Sequence, residues 1–324
     1  MPGPEPQSGP HTMRCLEVWG GNQAVDNGVV MAGLDAWLYS RPFGDQSAGG
    51  DIHYVSSCAA GMLTRVLVAD VSGHGHAVAD AAVKLRGLMR RYVNFIDQSL
   101  FVQNLNTEFG AISSAGGFAT AVVATYLAPT DELTVCNAGH PRPLWFRKRT
   151  GIWSLMEDLR PDGDRLANVP LGIAEPTCYD KTVVKLATGD VVVMYTDSII
   201  EAAGPDGRAV GQEGLLQIAR ALDASDPAQL LHGLLEAVAR HTGGAVSTDD
   251  VTLLILRPNG LKPRPSPLVH IKAMGHMMRA AAASLRPGGP PFPWPEDGVL
   301  AVLSAVLHRL NPRWGVAPRR GIRG

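Results

Sequence analysis

The sequence predicts an α+β fold in which β-sheets pack face to face and helices cover them. Three observations carry that expectation. Short apolar runs with strand-like alternation recur along the chain, bounded by turn residues. About four helix-like segments interrupt them, and strands and helices do not alternate strictly as in a parallel α/β protein. The 324 residues are 45% hydrophobic and 18% charged, enough apolar material for a large core.

The elements follow in order. Residues 1–13 hold Pro2, Pro4, Pro6 and Pro10 and predict a disordered lead-in. Leu16 to Trp19 and Ala36 to Tyr39 read as strands joined by a turn-rich piece around Asp26-Asn27-Gly28. A glycine-rich bend, Gly44 to Asp51, leads into a strand pair, Ile52 to Val55 and Thr64 to Ala69, turning near Ala60-Gly61. Residues 77–92 predict a helix, with Val78, Ala81, Ala82, Leu85, Leu88 and Met89 on one face. A second is predicted over Leu100 to Ile112, with Leu100, Phe101, Leu105 and Phe109 at helical spacing. Strands are then predicted over Phe118 to Leu127, Leu133 to Asn137, Leu144 to Phe146, Lys181 to Leu186, Val191 to Tyr195 and Val251 to Leu256. Asp226-Pro227 has the N-cap and N1 proline of a helix running to about Arg240.

Beyond Pro258 the composition changes. Residues 1–258 carry 19 basic and 28 acidic side chains, whereas 259–324 carry 10 and 2. The tail is Pro-rich and basic, with possible helices over Ile271 to Leu285 and along the apolar stripe Val299 to Leu310. The division expected is therefore a lead-in over 1–13, a body over 14–258 and an extension over 259–324, the last either packed on the acidic body or loosely ordered. A net charge of −1 argues against a dedicated nucleic-acid binder. No apolar run reaches the roughly 18 residues of a membrane span. Four cysteines without metal-ligand spacing and no visible signal peptide point to reduced thiols and a cytoplasmic location.

Four carboxylates sit at strand ends or tight turns: Asp51, Asp70, Asp197 and Asp249, the last with Asp250 beside it. Aspartate favours turns in any case, and spacing alone does not bring these four together. If they converge, their burial requires cations, and an all-oxygen donor set selects Mg²⁺ or Mn²⁺ over zinc. Asp70 opens Asp70-Val71-Ser72-Gly73-His74-Gly75, a stretch equally readable as a strand-to-helix turn.

Six segments in this order resemble the SpoIIE/RsbU-type phosphatases of the metal-dependent PPM class. They are Gly49-Gly50-Asp51, Ala69 to Gly75, Asn137-Ala138-Gly139-His140, Pro170-Leu171-Gly172, Gly189 through Asp197 to Ala202, and Asp249 to Leu253, spanning about 35–258. The resemblance implies a four-layer αββα sandwich with a site for two Mn²⁺ or Mg²⁺ ions at one edge. It implies Asp70 bridging both ions, the Val71 carbonyl and Asp51 on one, and Asp197 and Asp249 on the other. A hydroxide between the ions would attack phosphoserine or phosphothreonine on a regulatory protein, such as an anti-sigma-factor antagonist.

Smaller roles stay open. His74 is a candidate to protonate the leaving alkoxide, or a solvated loop residue; Arg41 is a candidate phosphate grip, or a surface ion-pair partner. Asn137 and His140 read as turn-fixing residues and His76 as an ordinary helix start. Ser198 stands where the family usually has glycine, which raises a docking module of weak activity as an alternative, beside hydrolysis of small phosphoesters. With only a short lead-in before the matched region, control by a partner protein or by the tail is expected.

Overall fold

Two sheets face each other across an apolar layer, and the alternation that predicted the strands explains why. The computed structural model describes residues 10–13, 17–44, 46–58, 61–73, 76–92, 97–112, 117–156, 166–244 and 249–262. The strands are β1 (His11–Thr12), β2 (Val18–Gly21), β3 (Val25–Val30), β4 (Leu34–Arg41), β5 (Asp51–Cys58), β6 (Leu63–Val71), β7 (Ala119–Leu127), β8 (Glu132–Ala138), β9 (Leu144–Arg147), β10 (Ile152–Leu155), β11 (Lys181–Lys185), β12 (Val191–Tyr195) and β13 (Val251–Pro258). The helices are α1 (His76–Arg91), α2 (Gln98–Ile112), α3 (Asp197–Glu201), α4 (Gly211–Arg220) and α5 (Pro227–His241). One sheet runs β1-β3-β4-β13-β12-β9-β10 and the other β11-β8-β7-β6-β5-β2. Every pairing is antiparallel except β1 on β3.

Period-two alternation sends successive side chains to opposite faces. Leu38, Val192, Met194, Leu254 and Leu256 of the first sheet meet Val55, Val66, Val68, Val122 and Ala124 of the second in the central layer. The second sheet's outer face, through Ile52, Tyr54, Leu67 and Ala69, packs against Leu85 and Met89 of α1 and Phe101, Leu105 and Phe109 of α2. The first sheet's outer face, through Val193, Tyr195, Leu253 and Ile255, packs against Leu215 of α4 and Leu230 and Leu234 of α5. Each Val, Leu, Ile, Met or Phe among them contributes about 1.5–3 kcal/mol by leaving water. The result is the four-layer αββα sandwich. Asp226 caps α5, accepting from the Ala228 and Gln229 amides at 2.9 and 3.2 Å.

Several local expectations are corrected. Asp26-Asn27-Gly28 lies inside β3 and forms no turn; Gly28 pairs with Trp37, and a Cβ there would sit 3.0 Å from the indole Nε1. That glycine admits a cross-strand aromatic. Leu100 points outward, 52% exposed, while Phe101, Leu105 and Phe109 carry the buried face of α2. The end of the lead-in is ordered: His11–Thr12 pairs with β3, and Met13 is buried. Strand β10 and helices α3 and α4 add to the predicted elements. Residues 259–262 still pack on the body, where Asn259 donates to the Met31 carbonyl at 2.9 Å and Lys262 pairs with Asp131 at 2.5 Å. The two possible tail helices lie outside the described residues. No helix among the described residues is long and apolar enough to cross a membrane.

Candidate metal centre

At one end of the sandwich the central layer stops being apolar. Along β6, Val66 and Val68 face the other sheet, and Asp70 is next on that face. Along β5, Val55 faces inward, followed toward the N-terminus by His53 and Asp51. Opposite them, the inward series Val192, Met194 of β12 continues to Thr196, and Leu256, Leu254 of β13 continues to Thr252 and Asp250. Four strands thus deliver polar groups to one mouth by unbroken alternation.

Asp51 and Asp70 are direct cross-strand partners. Neighbours of this kind have Cα atoms about 4.5–5.5 Å apart, and like charges placed so are destabilising. Asp51 is 4% exposed. Burial first, then the Asp70 charge, raises its carboxyl well above the usual range, while the Thr196 and Thr252 hydroxyls oppose this. Asp70 is raised to about 7 by burial and then by the charges of Asp197, Asp249, Asp250 and Glu201. Asp197, the first residue of α3, is raised by burial and then by Asp249. Asp70 is thus the group that links this mouth: its charge acts on Asp51, and Asp197 and Asp249 act on it.

Asp250 has a different part from its neighbour. Its carboxylate accepts from the amides of Phe43 at 2.6 Å, Gly50 at 2.5 Å and Asp51 at 3.2 Å, pinning the glycine-rich bend to the start of β13. A Cβ on Gly49 would lie 2.2 Å from Asp250 Oδ2, so glycine there makes room for this carboxylate. Asn22 holds the bend from the other side: its Nδ2 donates to the Gly49 carbonyl at 2.9 Å and its own carbonyl accepts from the Gly49 amide at 2.9 Å. Asp249 is exposed, and its carboxylate accepts from the Asp250 amide at 2.8 Å.

Arg41 ends β4, exposed and paired in register with Val251, so it stands on the rim beside Asp249 and Asp250. Val71 is buried, donates to the Gly50 carbonyl at 3.3 Å, and has its own carbonyl 3.0 Å from where a Gly50 Cβ would be. Ser72 is tied to Phe118 in both directions, at 2.9 and 3.0 Å. His74 lies outside the described residues. His140 and Asn137 bond each other reciprocally at 2.8 and 2.7 Å, and His140 Nδ1 is 2.8 Å from the Thr120 hydroxyl, on the residue opposite Asp70. Ser198 is 8% exposed in the first turn of α3, with Oγ 3.4 Å from Thr196 Oγ1.

The donor set suits a hard cation: carboxylates and a carbonyl, with burial and like charges disfavouring the charged form of Asp51 and Asp70. As the side chains stand, no group of three His, Cys, Asp or Glu among the described residues is drawn together tightly enough to hold an ion. Mutually repelling carboxylates would stand apart in this way, and the charge and chemistry of the cluster fit a cation.

The sequence reading missed Thr196, Thr252, Ser40, Asn22 and Glu201. Extending the alternation of β12 and β13 past their apolar residues would have found the two threonines.

No curated protein matches the chain by sequence. Among solved structures, the RsbU and RsbW domains of Rv1364c from Mycobacterium tuberculosis share 22% identity over 90% of this chain and 77% of that one, with a TM-score of 0.61. The PP2C phosphatase domain with a regulatory fragment of SpoIIE from Bacillus subtilis shares 16% over 76% of this chain and 64% of that one, at 0.55. RsbX in complex with magnesium shares 15% over 69% and 95%, at 0.50. These likenesses concern the fold. The family model for Stage II sporulation protein E matches residues 61–259, a span that contains Asp70, Val71, Asp197 and Asp249 and begins after Arg41 and Asp51. With most of its length so matched, the chain belongs to the SpoIIE family and carries a PPM-type serine/threonine phosphatase domain.

Proposed function

We propose that this chain hydrolyses phosphoserine or phosphothreonine on a regulatory protein, of the anti-sigma-factor-antagonist kind, using two Mn²⁺ or Mg²⁺ ions. The observation that carries the reading is the cross-strand pair Asp51 and Asp70, two carboxylates set side by side at a buried mouth with Asp197 and Asp249 acting on Asp70. Asp70 would serve both ions, Asp51 and the Val71 carbonyl one of them, and Asp197 and Asp249 the other. Bound there, the ions would supply a water nucleophile active near neutral pH and positive charge against the phosphoryl oxygens. PPM-type phosphatases are metal-dependent, and magnesium accompanies RsbX, a protein of similar fold.

The protein's own groups supply binding and orientation. Asp250 holds the bend that carries Asp51, so the carboxylate is placed before any ion arrives. Arg41 on the rim is the candidate to grip phosphate with two parallel hydrogen bonds. His74, four residues after Asp70 in the sequence, is the candidate to protonate the leaving alkoxide. A protein substrate fits the open rim, where Asp249, Arg41 and Phe43 are all exposed. The pairing of RsbU and RsbW domains in the Mycobacterium tuberculosis relative supports a substrate or controlling partner that is itself a protein.

The test compares turnover of a phosphoserine peptide and of an aryl phosphate, with Mn²⁺ and after chelation. Metal-dependent turnover of both, lost in Asp197→Asn and Asp249→Asn, is expected. Turnover that survives chelation would overturn the reading.

A further inference from the structure

Thr196 stands at the N-cap position of α3, yet its side chain makes no capping bond to that helix. Threonine at an N-cap ordinarily spends its oxygen on the second or third amide of the helix. Here the hydroxyl is directed across the central layer. The residue has no solvent exposure. The Thr252 amide donates to Thr196 Oγ1 at 3.0 Å, so the oxygen is the acceptor of that bond. Its single proton then goes to the nearest acceptor, Asp51 Oδ2 at 2.8 Å; the Thr252 carbonyl and Ser198 Oγ lie farther away, each at 3.4 Å. The Thr196 amide in turn donates to the Thr252 carbonyl at 3.0 Å, locking the threonine to β13. The Thr252 hydroxyl also bonds Asp51, beside Thr196, and its Oγ1 is 3.0 Å from Ser40 Oγ on β4.

We propose that Thr196 is a positioning residue for the metal site: its hydroxyl, oriented by the Thr252 amide, donates to one oxygen of Asp51 and turns the other toward the ion. The bond crosses from one sheet to the other, so it also sets the separation of the two halves of the site at its mouth. Removing such an outer partner of a ligating carboxylate typically costs about 10- to 100-fold in metal affinity. The role rests on the proposed use of Asp51 as a ligand.

The experiment measures Mn²⁺ binding to the full chain by calorimetry, without substrate. Thr196→Val keeps the shape and removes the hydroxyl; Thr196→Ser keeps the hydroxyl. The expected order of affinity is wild type close to Thr196→Ser, then Thr196→Cys with its weak donor, then Thr196→Val about tenfold or more weaker. Should Thr196→Val not fold, the ranking of wild type, Ser and Cys decides the matter. In an Asp51→Asn background the step from Thr196 to Cys should vanish. Equal affinities for wild type, Ser and Cys, or an undiminished step in the Asp51→Asn background, would overturn the proposal. A threonine that only supports the fold would change thermal stability in that way without changing affinity. A wild type that takes up no Mn²⁺ would remove the metal reading, and this proposal with it.

Discussion

The middle and the mouth of the central layer are built by the same four strands, and they obey opposite rules. In the middle, Val66 and Val68 of β6 face Met194 of β12 and Leu254 of β13, and each helps bury the others. At the mouth, one step further along the same faces, Asp51 sits beside Asp70, a pairing that works against the folded chain. The middle carries stability; the mouth uses some of it to hold charge where an ion can neutralise it. A conflict between local chemistry and fold at one end of an otherwise consistent layer marks the functional site.

The largest expected effect that separates the two regions is on turnover. Asp70→Asn should lower Mn²⁺-dependent hydrolysis of a phosphoserine peptide by about a thousandfold or more, since several kcal/mol of charge stabilisation depends on the ions. The same variant should fold at least as stably as wild type in metal-free buffer. Equal activity in the two proteins would remove Asp70 from the site.

That stability difference has a definite pH dependence. The Asp70 carboxyl is raised to about 7 in the folded chain, against 3.8 as its ordinary value. The folded state therefore holds a proton that the unfolded state has released, and stability is lost as pH rises from about 4 through 7. The gap between Asp70→Asn and wild type, measured by urea unfolding without metal, should widen over that window to at most about 4 kcal/mol and then level off. Saturating Mn²⁺ should close it. His53 acts in the opposite sense: burial, then the Arg86 charge, lowers its ring to about 4, so its contribution is complete above about 6.5 and is lost as pH falls through 4. Both proteins contain His53, so the subtraction cancels it.

In the middle of the layer the pattern should invert. Leu254→Ala removes a fully buried side chain and should cost about 2–5 kcal/mol in unfolding free energy. Mn²⁺ affinity of the folded protein should stay within a few-fold, because Leu254 lies one inward step beyond Thr252. A large fall in affinity would mean that packing in the middle and geometry at the mouth are not separable.

How much of this was legible differs between the two regions for a physical reason. Runs such as Val191 to Tyr195 declare a strand because burial on both faces demands apolar residues throughout. Strand β3 hid behind Asp26-Asn27-Gly28, because turn-favouring residues are tolerated where a cross-strand tryptophan covers the glycine. The carboxylates at the strand ends were visible, but their convergence depends on which residues pair, and pairing is a tertiary property. Thr196 went unassigned and Asp250 stood only as the neighbour of Asp249, because each looks like a local capping or turn residue. Only contacts far along the chain, to Asp51 and to the glycine-rich bend, show what they do.

The smallest effect is expected at Ser198. A side chain here, where related sequences usually have glycine, raised the possibility of crowding the second ion. The serine lies in the first turn of α3 and is absent from the residues that need a positive φ, so the backbone makes no demand for glycine. Its hydroxyl is directed back toward Thr196 Oγ1 at 3.4 Å. Ser198→Gly should therefore change Mn²⁺ affinity by less than about threefold while costing at most about 1 kcal/mol through backbone freedom. Calorimetry on the variant checks the first number and urea unfolding the second. A tenfold gain in affinity would show that the serine does crowd the site, and would move the difference between middle and mouth from the strands into the first turn of α3.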